Sequence, residues 1–465
     1  MASKCMILLL LLVPLLHAQR FPTFGLAPRF GAEQVVPQSG GYPSQQNLQT
    51  QLDEDVQVPI SPTRRQSGQP RNPATTRPPV TSKFSFMDRF SSKLYEKIAP
   101  SKSGANFVYS PVSVHSILAL IYGASIGRTA SELKQAGVFE NNKINVALSF
   151  QKLIMDRSDL GNAELKIATK LYHNQLKGGI NPSFPPYSQS YFNTADEPVD
   201  MANPKDTSKR INAWVSDSTN GKIQNLAAAS DITEQTEALM VNAIYFKGRW
   251  ENEFATMDTQ PTNFVHSDGS SSRVAMMYND DVYSLADLPE LGASALGLNY
   301  RDSNISMLIL LPKQVNGLRA LEAQLARPEF DLNYIAARLQ RRNVLVRLPK
   351  FRIEFDQDMT VPLKEMGVQA MFGPNSQINT MLNNIVRVEK ILQKAYIDVN
   401  EAGTEATAAS YAKFVPLSLP AKSPEFTADH PFVFAVRTPS SVLFIGHVEH
   451  PTPLAASPGE AGSGR

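Results

Sequence analysis

Apolar residues recur every four positions at Phe86, Phe90, Leu94 and Ile98, a spacing that predicts an amphipathic opening helix. Ser110-Pro111 reads as an N-cap followed by a proline at the first helical position, leading into the apolar run Val112–Tyr122. Strand signals follow at Leu239–Phe246, Ser306–Leu311, Val344–Phe355, Lys394–Asn400, Phe432–Arg437 and Val442–Val448. Helices come mostly first and strands mostly later, with neither βαβ alternation nor an internal repeat. That order predicts one α+β domain over about Lys83–Pro453 rather than a doubly wound sheet.

Residues 401–420 break the pattern. They carry almost no large apolar side chain before Tyr411, so they read as an exposed loop. They also alternate like a strand. Thr404, Ala406, Ala408, Ser410, Ala412 and Phe414 fall on one face; Glu405, Thr407, Ala409, Tyr411 and Lys413 fall on the other. Small residues on a buriable face suit a loop that must also be able to become a central strand.

Composition narrows the class. The 465 residues carry a formal charge of only +2, which gives no global electrostatic case for nucleic acid. Lys4, the apolar run Met6–Leu16 and the small residue Ala18 predict a secretory signal over 1–18, too short to span a bilayer. From 19 to 82 the chain holds ten prolines and many Gln, Ser, Thr and Arg, and is expected to be disordered. Arg64-Arg65 offers a processing site there, though two arginines in such a tail also read as solvated charge. A low-complexity tail is expected over 454–465. The only cysteine, Cys5, lies in the signal, so the mature chain has no thiol nucleophile and no thiolate metal site. No later stretch is apolar enough to span a membrane, and the expected location is extracellular.

Four small constellations have plain readings beside their chemical ones. Gly123-Ala-Ser125-Ile-Gly127 fits a nucleophile elbow, but a helical run precedes it, so it reads as a helix end. His447-Val-Glu-His450 follows a strand and lacks a third ligand, so it reads as a surface pair of histidines and no metal is expected. Arg338, Arg341 and Arg342 could touch a sulfated polysaccharide weakly, or form a solvated helix face. Asn304-Ile-Ser306 is the glycosylation sequon, with a strand adjoining it. No cofactor motif is present.

Four motifs in order resemble the serpin family across essentially all of Lys83–Pro453. They are Asn106–Ser113, Val241–Trp250, the pair Asp429–Phe434 and Phe444–Val448, and above all Glu401-Ala-Gly403-Thr404-Glu405-Ala406-Thr407-Ala408-Ala409. The resemblance implies an α+β fold of three β-sheets and about nine helices with an exposed reactive-centre loop. It also implies a suicide substrate rather than an enzyme. A serine protease would attack the loop and form a covalent 1:1 acyl-enzyme, and the cut loop would insert as a strand.

In this reading Glu401, Gly403, Thr404, Ala406 and Ala408 form the hinge, and Ser110, Asn242 and Gln393 a hydrogen-bonded shutter. Serpins commonly carry histidine where this chain has Gln393, an amide that both donates and accepts. The residue before the scissile bond falls sixteen positions after Glu401, at Leu417, with Ser418 after it and Val415 and Pro416 as flanking bait. Leucine suits the hydrophobic pocket of chymotrypsin- or elastase-like proteases. The cysteine-free core, long extension and Val-Pro-Leu-Ser bait look most like a secreted insect serpin of the necrotic type, which would restrain a haemolymph immune protease cascade. A monomer is expected. The alternative within the family is a non-inhibitory carrier.

Overall fold

The computed structural model describes residues 85–155, 159–177, 179–327, 332–383, 387–404 and 423–454. The expected signal, the N-terminal extension and most of the tail lie outside them. So do Ala406, Ala408, Val415, Pro416, Leu417 and Ser418. Nine α-helices and fifteen strands occur among the described residues, and none of the helices is long and apolar enough to cross a membrane.

The opening helix runs Ser85–Ile98, with Phe90, Leu94 and Ile98 buried as their spacing predicts. The next helix, Pro111–Gly123, begins at Ser110, whose hydroxyl accepts the Ser113 amide proton. It is buried on every side from Pro111 to Tyr122 and predominantly apolar, as a helix inside the core must be. Gly123 ends it.

A six-stranded sheet organises the molecule. Its strands lie in the order Phe351–Asp358, Val388–Asn400, Gly403–Thr404, Ala238–Arg249, Glu164–Asn174 and Ala195–Val199. From Ala238 to Phe246 this strand is buried on both faces, which explains an apolar run interrupted only by Asn242. Leu239, Val241, Ala243 and Tyr245 face Ile211 and Val215 of the Pro204–Ser218 helix. Met240, Ile244 and Phe246 face the main core on the other side.

The remaining nine strands form one continuous network. Its long strand Ser271–Leu288 pairs with Gln260–Val265 at one end and with Ala293–Asn299 at the other. Counting those two ends as separate sheets gives the three-sheet α+β architecture.

Val344–Phe355 is not one strand. Gln340–Pro349 belongs to the nine-stranded network and Phe351–Asp358 to the six-stranded sheet, and the chain crosses between them at Lys350. The Lys350 amide closes the first ladder, donating to the Ala275 carbonyl one step past the Pro349/Met276 pair.

Candidate functional site

The candidate site is a seam. Strands Val388–Asn400 and Ala238–Arg249 pair in parallel from Val388/Ala238 to Tyr396/Tyr245. Beyond that point they part. The chain turns at Glu401–Ala402 and returns between them as Gly403–Thr404, antiparallel to both. Gly403 stands opposite Asn400 on one side and Arg249 on the other; Thr404 stands opposite Val399 and Gly248.

The turn is held by residues distant in sequence. The Glu401 carboxylate is buried and meets Lys350 Nζ at 2.8 Å, while Thr259 Oγ1 donates to it at 2.9 Å. Trp250 donates its indole N–H to the Asn400 carbonyl at 3.0 Å and its backbone N–H to the Ala402 carbonyl at 3.0 Å. Gly403 takes φ +151°, and a Cβ there would lie 2.0 Å from the Gly248 carbonyl oxygen. Glycine is thus needed for backbone conformation and for space together. Thr404 is fully buried, and its Oγ1 shares a 2.7 Å hydrogen bond with Tyr300 OH, either atom being able to donate. Tyr300 is itself fixed between Trp250, stacked at 4.5 Å, and Phe246, edge-on at 4.8 Å.

Farther down the same seam, Gln393 and Asn242 stand opposite each other in register. Gln393 Oε1 accepts the Ser110 amide at 2.8 Å. Its Nε2 donates to the Ser110 carbonyl at 3.2 Å and to Asn242 Oδ1 at 2.9 Å. Asn242 Nδ2 donates in turn to Thr169 Oγ1 at 2.9 Å on the neighbouring strand. Ser110, Asn242 and Gln393 are all buried, so one amide side chain ties the Pro111–Gly123 helix to both strands of the seam.

Burial alone would raise the Glu401 pKa. The hydrogen bond from Lys350, with those of its own backbone and Thr259, overcomes this and holds the carboxyl below its ordinary value. A folded-state pKa below the unfolded one stabilises the fold above the ordinary carboxylate range. That contribution is lost as pH falls through the depressed value. Thermal unfolding followed from about pH 5 to about pH 3 should therefore fall more steeply in the natural chain than in Lys350→Met. Parallel profiles would show that this ion pair does not secure the turn.

Sequence reading singled out Glu401, Gly403, Thr404, Ser110, Asn242 and Gln393, and the structure brings all six to one seam. Lys350, Thr259, Tyr300 and Thr169 escaped it. Their contacts span from 51 to 142 residues of sequence for the first three and 73 for the last, and no local pattern marks them.

Other candidates fall elsewhere. Ser125 is buried and its hydroxyl donates to the Tyr122 carbonyl at 3.0 Å, so it is not displayed as a nucleophile. The expected surface pair of histidines is corrected. His450 is exposed, but His447 lies wholly buried, with Nδ1 2.7 Å from Glu322 and Nε2 2.8 Å from the Ala105 carbonyl. Its strand is a central one whose residues are buried on both faces. Among the described residues no His, Cys, Asp or Glu cluster could hold a metal. The expected helix face of arginines is also corrected. Arg341 and Arg342 lie on the strand Gln340–Pro349, and Arg338 follows the Leu332–Ala336 helix. Arg338 pairs with Glu290 and Arg341 with Glu251, which leaves little uncompensated charge. Asn304 is exposed, with Nδ2 donating to Asp159 Oδ1 at 2.9 Å.

Comparison with known proteins places this geometry in a family context. The model of the family Serpin (serine protease inhibitor) matches residues 85–451. Serine protease inhibitor 42Dd of Drosophila melanogaster is 32% identical over 370 residues, covering 78% of this chain and 95% of its own. Alaserpin of Manduca sexta is 33% identical over 371 residues, covering 78% and 93%. Among solved structures, Serpin48 of the insect Tenebrio molitor superposes with a TM-score of 0.73 at 28% identity, covering 81% of this chain and all of that one.

Proposed function

The chain belongs to the serpin family, and on that premise we propose that it is a secreted, single-use inhibitor of a chymotrypsin- or elastase-like serine protease. Serpins are protease inhibitors rather than catalysts, and relatives of this chain carry that description. The observation that most supports an inhibitory role here is the two-residue strand Gly403–Thr404, already seated between two parallel neighbours and antiparallel to each.

In the proposed sequence the protease serine attacks the Leu417 carbonyl. The amide bond to Ser418 breaks, Ser418 leaves with a free amine, and Leu417 remains as an ester on the enzyme. The chain behind it then continues the strand begun at Thr404, with Ala406, Ala408, Ser410 and Ala412 turned toward the face that Thr404 already occupies. The attached protease is carried along before water can resolve the ester. Leu417 fills an apolar primary pocket, and Pro416 limits the entropy lost when Val415–Ser418 docks. Secretion rests on the apolar Met6–Leu16 run, and a role in an insect haemolymph cascade on the cysteine-free body and the bait. Asn304 is open to glycosylation at the surface. A sulfated polysaccharide would bind weakly, since Glu290 and Glu251 offset two of the three arginines.

The test is incubation of the full chain with chymotrypsin or elastase, followed by gel electrophoresis in SDS. A stable 1:1 complex and a released peptide beginning at Ser418 are expected. The cut protein should also unfold at a higher temperature than the uncut one. Cleavage with neither complex nor gain in thermal stability would reject inhibition in favour of a carrier role.

A further inference from the structure

Leu165 and Ile167 are core-facing residues left partly wet. They stand opposite Phe246 and Ile244 in register and so share their face of the sheet, where those two partners are fully buried. Yet Leu165 and Ile167 are only half-buried. A cavity of about 500 Å³ lies over them, bounded by the end of the Lys143–Met155 helix, Val112, Leu160 and Leu443. Protein interiors pack to crystal density and leave few voids larger than a water molecule. A space of this size instead falls within the range of small-molecule sites, about 300–1,000 Å³.

Its chemistry is selective. The floor is aliphatic: Val112, Leu160, Leu165, Ile167 and Leu443. Among the described residues two charged side chains stand at the wall, Lys152 and Asp159. The Asp159 carboxylate already accepts Asn304 Nδ2 at 2.9 Å. Lys152 is exposed and has no hydrogen-bond or ion-pair partner among the described residues. Over this aliphatic floor the Lys152 ammonium, without a partner among the described residues, offers a carboxylate head a charge-assisted hydrogen bond that a neutral head cannot match, while the Asp159 carboxylate is held by Asn304.

We propose that this cavity binds a medium-chain aliphatic carboxylate, its tail over Leu165 and Ile167 and its head at Lys152 Nζ. The site lies beside the seam without being part of it. Thr169, two residues beyond Ile167 on the same strand and on the same face, accepts from Asn242. Inhibition of a protease is not needed for the binding, so the two readings stand or fall separately.

Calorimetric titration of the intact chain with decanoate below its micelle concentration, and with decanol, tests the site. Decanoate should bind saturably at one equivalent. Lys152→Ala should weaken decanoate at least about fivefold, the scale of one partly exposed charged hydrogen bond, and leave decanol unchanged. Ile167→Trp and Leu165→Trp, which fill the cavity, should abolish both. The absence of saturable decanoate binding overturns the proposal. Binding that both tryptophan variants leave intact does so too, since it would be detergent-like association elsewhere. Equal loss of decanoate and decanol in Lys152→Ala would remove the carboxylate from the assignment. Should the tryptophan variants fail to fold, that last comparison still decides.

Discussion

Replacing Thr404 by arginine should convert the protein from an inhibitor into a substrate, with the bond after Leu417 cut at an undiminished rate and no SDS-stable complex formed. Thr404 is fully buried between Val399 and Gly248 and spends its hydroxyl on Tyr300. A guanidinium there would meet the aromatic group of Tyr300, Trp250 and Phe246. An unpaired charge in such surroundings costs several kcal/mol. The loop can avoid that cost by staying out of the sheet, where Leu417 remains available for attack. Insertion competes with hydrolysis of the ester, and about 3 kcal/mol against insertion tilts that competition by roughly a hundredfold. The measurement is the ratio of cleaved protein to complex on an SDS gel. Thr404→Ser keeps the hydroxyl and should keep the complex. An unaltered ratio in Thr404→Arg would mean that trapping does not proceed through the seam.

Loss of the amide at position 393 should have the second largest effect, on the body of the protein. Gln393→Leu leaves the Ser110 amide and Asn242 Oδ1 without their present partner in buried surroundings, while the Ser110 carbonyl keeps the Val114 amide at 3.3 Å. Each stranded polar group costs about 1–3 kcal/mol, with partial relaxation expected between neighbours. A total on the order of 3 kcal/mol corresponds, in a domain of about 370 residues, to a fall in melting temperature of roughly 4 °C. Gln393→His is the informative companion. A neutral imidazole has one donor and one acceptor, enough for Asn242 Oδ1 and the Ser110 amide but not for all three contacts. It should therefore melt between the leucine variant and the natural chain. If Gln393→Leu melts where the natural chain does, the bridge across the seam contributes nothing to holding it shut.

Where apolar residues keep one period to the end of an element, the sequence was readable almost to the residue. Phe432–Arg437 and Val442–Val448 are strands with the predicted bounds, and Ser110 caps the helix it was expected to cap. Reading failed where a slip in the phase of alternation, easily passed over inside one long apolar stretch, marks a change of sheet. In Val344–Phe355 the apolar positions shift by one at Pro349-Lys350, from Val344, Val346 and Leu348 to Phe351, Ile353 and Phe355, and at that slip Lys350 leaves one ladder and enters another. The same position supplies the cation for Glu401, so the missed break and the missed contact are one event. His447 was misjudged because a polar residue near a strand end usually faces water. Here Glu322 and the Ala105 carbonyl meet both ring nitrogens, so the ring can be buried. Gly403 and Thr404 stood out as small residues in alternation, but only the fold supplies what they touch: Gly248 and Tyr300 are brought there by strands far away in the chain.

The pairing pattern at the top of the seam has a consequence in time. Each further residue that follows Thr404 inward gives up at most one parallel pairing between Val388–Tyr396 and Ala238–Tyr245 and gains an antiparallel neighbour on both sides. On the proposed insertion mechanism the uncut arrangement is not the lowest available to this chain, and what preserves it is a barrier at the strand entrance. Its endurance is then a half-life rather than an equilibrium constant, and unfolding-type barriers are crossed about three to six times faster for every 10 °C of warming. A stock of this protein should age. On that mechanism, molecules that have consumed their own loop should accumulate without ever meeting a protease, and a warm body would replace them faster than a cold one.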